Sequence, residues 1–106
     1  MLPALAPFPK GLTQAALDTL MPMHVALDAA GRVRATGPTI GRIVEAPFGA
    51  PFFDLFAIRR PEGIGDPATL RARAGERLFL RSRGAEGTFR GVAVADAEGG
   101  TLVNLS

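Results

Sequence analysis

The chain has 106 residues, 47% of them hydrophobic, which suits one domain with a single core and argues against disorder. It has no cysteine, which excludes disulfides, thiolate metal sites, cysteine nucleophiles and cysteinyl-flavin photochemistry, and fits a cytoplasmic protein. Net charge is only +2; the pI of 10.4 arises because, with no Tyr or Cys and one lysine, almost nothing titrates between histidine and arginine. No apolar run reaches the roughly 18 residues of a membrane span, so no membrane partner is expected.

Residues 1–11, MLPALAPFPKG, read as an extended proline-rich arm. They lack a basic n-region, and Pro3, Pro7 and Pro9 break the apolar segment, which argues against a signal peptide. Residues 12–106 read as one domain that begins with a helix. Thr13 can cap that helix, which runs to about Leu20 before Pro22 stops it. Leu12, Ala15, Ala16, Thr19 and Leu20 share one stripe, and Leu17 and Met21 widen the apolar arc. Such an arc suits a helix touching both its own domain and a second subunit; a helix simply tucked over its own core fits the pattern equally.

From Met23 to Thr39 the pattern predicts strand, turn, strand and helix start. Met23, Val25 and Leu27 alternate with His24, Ala26 and Asp28, the period of two of a half-buried strand. Asp28 to Gly31 form the turn: Asp can bond a backbone N–H two residues on, and Gly accepts positive φ. Pro38 is placed at the first position of a short helix presenting Ile40, Ile43 and Val44. Phe48, Phe52, Phe53, Leu55, Phe56 and Ile58 then crowd between Pro47 and Pro61, with room for one or two helical turns, and are expected in the core.

Glu62 to Gly65 read as a loop without the third glycine of a dinucleotide fingerprint or a Walker lysine. Asp66 and Pro67 open a further helix, with Gly75 as its left-handed terminator; its thin stripe, Leu70 and Ala74, predicts a mobile surface helix. Three strands close the chain. In the first, Leu78 and Leu80 face the core while Arg77, Phe79, Arg81 and Arg83 face away; Phe89 to Ala95 and Thr101 to Leu105 follow. The sum is an α+β domain with a five-stranded antiparallel sheet.

No constellation of an enzyme is present. His24 is the only histidine, and no carboxylate or hydroxyl stands at a spacing that would complete a nucleophile–base pair or a zinc site with it. It reads as a structural residue, with axial heme ligation, for which one histidine can suffice, as the alternative; no cofactor, metal or catalytic residue is expected. Asp54 with Arg59 or Arg60 reads as an ion pair. The arginines of the C-terminal half, Arg71, Arg73, Arg77, Arg81, Arg83 and Arg90, come without any nucleic-acid-binding motif, so a solvated basic face is expected and nucleic acid is not.

The order of elements is that of a PAS domain. LMPMHVALDAAGRVRATGPTI, PFFDLFAIRRP, GERLFLRSR, FRGVAV and LVNLS together resemble the heme-NO-binding-associated domain, the PAS-like module of soluble guanylate cyclases and of bacterial histidine kinases and diguanylate cyclases. The resemblance covers about Leu17 to Ser106 and rests on P-x-H before the first strand, D-x-x-G-R in the turn, and D-L-F followed by R-R-P. It implies a sheet of order 2-1-5-4-3 with short helices on one face, and a role in dimerisation and signal relay without catalysis. A heme-NO-binding domain or protein and a kinase or cyclase output domain are the implied partners. None of these lies within the chain, so it is expected to be an excised or truncated module. The expected homodimer interface is Leu12, Ala16, Leu17, Leu20 and Phe79, with the arginine face as its rim. The alternative is a small-molecule sensor whose ligand sits among Phe52, Phe53, Phe56 and Ile40.

Overall fold

The computed structural model describes residues 13–106, so the expected arm and Leu12 lie outside the described residues. Along the chain stand α1 (Gln14–Leu20), β1 (His24–Leu27), β2 (Val33–Thr36), α2 (Ile40–Ile43) and α3 (Phe52–Leu55). They are followed by β3 (Phe56–Arg60), α4 (Pro67–Ala72), β4 (Arg77–Ser82), β5 (Thr88–Ala95) and β6 (Thr101–Leu105).

Local chemistry accounts for the hairpins. Asp28 Oδ1 accepts the Ala30 and Arg32 backbone N–H groups, each at 2.9 Å, and Gly31 takes φ +80° as the β1–β2 turn closes. Asp96 repeats the device at the β5–β6 turn, accepting from Glu98 and Gly100.

The six strands form one antiparallel sheet of order β2-β1-β6-β5-β4-β3. This corrects the expected five strands: β2, β1, β6, β5 and β4 stand in the expected order, and β3 adds an edge. The segment after Pro51 makes a single helical turn, α3, and then pairs Phe56 with Ser82 and Ile58 with Leu80. Ser82 and Leu80 are buried on β4, and pairing there satisfies the backbone of Phe56 and Ile58 while placing both against the core, which a second helical turn at the sheet edge would not do.

Alternation divides the sheet. Val25, Leu27, Leu78, Leu80, Phe89, Ala93, Val103 and Leu105 point inward to one core, which Ile40, Val44, Phe52, Ile64 and Leu70 complete from α2, α3, α4 and the loops. Phe52 stacks on Phe56 at 5.1 Å between ring centroids, and Phe56 meets Phe89 edge-on at 5.9 Å.

Four further expectations are corrected. Phe48 is 83% exposed, because Gly49 N–H donates to Val33 O and Ala50 N–H to Pro47 O, holding this loop as a turn beside the sheet edge. Pro38 is not the first residue of α2: Thr39 N–H donates to Pro22 O and Gly37 N–H to His24 O, so the helix starts at Ile40, and Ile43 faces solvent. The helix α4 is anchored, since Leu70 is wholly buried and Arg71 Nη2 donates to Asp96 O at 2.8 Å. Asp54 makes no ion pair with Arg59 or Arg60; the ion pairs among the described residues are Arg34–Glu98 and Arg73–Glu76. Asp54 sits on α3, while β3 carries both arginines away along the edge.

Candidate interaction surface

The helix α1 does not cover the core. Thr13 caps it as expected, its Oγ1 accepting the Ala16 N–H at 3.0 Å. Its contacts lie on the outer face of the sheet, because His24 and Ala26 alternate with the inward Val25 and Leu27. Gln14 and Leu17 share a cleft with Ala26, Ala35 and Leu102, and Gln14 Nε2 reaches Nε2 of His24 at 3.3 Å. His24 Nδ1 lies 2.7 Å from Met21 O, so Nδ1 carries the proton and Nε2 accepts from Gln14.

None of the seven residues of α1 is buried. Ala16 and Leu17 are half-buried, and Leu20 is 69% exposed. A folded helix that sequesters no side chain has little tertiary packing to hold it, and packing supplies most of the stability of helices this short.

Beyond α1 the outer face stays open. Phe79 is 37% exposed on β4, and Val92 and Val94 stand exposed on β5. Sequence alternation located Phe79, whereas Val92 and Val94 were missed. Their signal was present in FRGVAV, where Phe89, Gly91 and Ala93 share one parity and Arg90, Val92 and Val94 the other. Gly91 marks the inner parity: a Cβ there would lie 2.9 Å from Leu105 Cδ2. The structure therefore brings Val92, Val94 and Phe79 onto the sheet face that also carries α1, with Leu17 and Leu20 on the helix.

The second expected set lies on the other side of the sheet. Ile40, Phe52 and Phe56 are fully buried, and Phe53 packs partly buried against the core. Clefts of about 630 and 590 Å³ lie elsewhere, around Arg59, Phe79 and Arg90 and around Arg81 to Gly87. Among the described residues no three His, Cys, Asp or Glu side chains cluster as metal ligands, and no helix is long and apolar enough to cross a membrane. A scan against protein-family models found no match for the chain, and a search of the curated proteins found none either.

Proposed function

We propose that the domain is a PAS-like dimerisation and signal-relay module of a cytoplasmic signalling protein, acting beside a heme-NO-binding domain or protein and a kinase or nucleotide-cyclase output. The observation that carries this reading is the helix α1, laid on the outer sheet face with no residue buried. Five strands in the order β2-β1-β6-β5-β4, with α2, α3 and α4 contributing to the core and α1 on the opposite face, support the PAS-like part.

Magnitudes decide how far the interface extends. Burying Leu20 in both copies is worth about 3–6 kcal/mol, against roughly 4–15 kcal/mol of association cost. The helix alone is marginal, so the contact includes Leu17, Ala16 and the neighbouring Val92 and Val94, with Phe79 at the rim. The relay follows from the covalent path: α1 ends at Met21, whose carbonyl accepts from both the His24 backbone N–H and the ring, so a shift of α1 is felt at the first residue of β1. The reading invokes no catalysis and no cofactor. Both ring nitrogens of His24, the only histidine, are already engaged.

Because the chain has no cysteine, Leu20→Cys introduces a unique thiol. Mild oxidation should give a covalent dimer if two α1 helices meet near a two-fold axis. Failure to cross-link, with Val92→Cys cross-linking instead, would move the interface from the helix to the sheet.

A further inference from the structure

The outer face of β3, β4 and β5 carries a feature that dimerisation through α1 touches only at its rim. Phe79 is enclosed by four arginines: Arg60 and Arg90 stand opposite it on the flanking strands, and Arg77 and Arg81 lie two residues away on its own strand. Arg59 joins them beside the irregularity between Ile58 and Arg60. Like charges at cross-strand spacing oppose folding, and no Asp or Glu side chain among the described residues forms an ion pair with them. The two ion pairs among the described residues lie elsewhere, and residues 1–12 contain no Asp or Glu. The guanidinium groups of Arg32, Arg71, Arg73 and Arg83 each donate to an acceptor within the domain; those of Arg59, Arg60 and Arg90 donate to none among the described residues.

Beside the ring opens a cleft of about 630 Å³, within the size range of small-molecule sites. Its apolar floor is the Phe79 ring, and its rim carries Arg59, Arg60 and Arg90 beside Ser106; Leu80 and Phe89, also in its lining, turn their side chains to the core. The guanidinium of Arg90 lies 5.8 Å from the centre of the Phe79 ring, so it is oriented by a cation–π contact while its N–H edge stays available as a fork for an oxyanion. A second copy is a poor occupant: a two-fold contact centred on Phe79 would set one ring of arginines against its twin.

The geometry points to a binding site for a small organic anion, a phosphate monoester on a flat apolar body, with the body against Phe79 and the oxyanion between Arg60 and Arg90. Unlike the sensor alternative, this site lies on the outer sheet face and leaves the buried phenylalanine cluster intact. It does not rest on the α1 dimer.

Phenyl phosphate is the probe, titrated calorimetrically into the 106-residue chain, with inorganic phosphate and phenol as its two halves. Saturable one-to-one binding is expected, with either half weaker by about tenfold or more, since charge-assisted hydrogen bonds and ring burial each contribute on that scale. Arg90→Gln and Phe79→Ser should each lose about tenfold or more. Arg77→Gln, on the same face but outside the cleft, should change affinity by less than about threefold. Melting curves on each variant confirm that it is folded. Three results would overturn the site: no binding of phenyl phosphate at millimolar concentration, inorganic phosphate binding as well as phenyl phosphate and indifferent to Phe79, or a short oligothymidine binding far more tightly with a steep salt dependence that Arg77→Gln also weakens.

Discussion

Nε2 of Gln14 stands 3.3 Å from Nε2 of His24, and this contact, on the outer face of the sheet, ties the N-terminal helix to the first strand. His24 has no solvent exposure and its other nitrogen is held by Met21 O, so the ring offers Gln14 one acceptor in one orientation. Replacing Gln14 by Ala should leave that acceptor without its protein donor and cost about 1 kcal/mol. Hydrogen exchange should then accelerate in residues 16–21 while the amides of β5 keep their protection. Equal loss of protection in both would mean that α1 is part of the core unit.

Two phenylalanines of one segment should behave in opposite ways. Phe56 is fully buried between Phe52 and Phe89, so Phe56→Ala should cost about 3–5 kcal/mol and a large share of the domain's stability. Phe48 is exposed, and Phe48→Ala should change stability by less than about 0.5 kcal/mol. Urea titrations of the two variants check both values.

That contrast shows what was legible in the sequence. Turns and caps were readable because their determinants are local: Asp28 with Gly31, Thr13 before α1, and Asp66 with Pro67 each act within four residues. The strand β3 was not, because Phe56 to Arg60 offers only two inward apolar positions and its partner on β4 is some twenty residues away. Phe48 looked like its neighbours, yet the backbone bonds of Gly49 and Ala50 turn it outward. The candidate surface was half legible: alternation placed Phe79 outside, whereas its enclosure by Arg60 and Arg90 depends on strand order and register.

Asp66 supplies a pH dependence. Its carboxylate accepts the Thr69 backbone N–H at 2.8 Å and the Thr69 hydroxyl, which hold its pKa below the ordinary 3.8. A carboxyl lowered in the folded state stabilises the fold at pH values above its unfolded pKa, and that contribution is lost as pH falls through the folded value. Asp66→Asn keeps a capping oxygen without the titration, so below about pH 4 its melting temperature should fall less steeply with acid than that of the parent chain. Parallel acid profiles for the two proteins would show that the cap does not titrate with folding.

The association of two chains through α1 is tested most directly by light scattering at micromolar concentration on the intact chain and on Leu20→Glu. Leu20 is exposed in the single chain, so a glutamate there should leave the fold and its melting temperature nearly unchanged while placing two like charges at the helix contact. A dimer for the intact chain and a monomer for Leu20→Glu is the expected result. A monomeric intact chain, or a dimer that survives the substitution, would contradict the α1 interface.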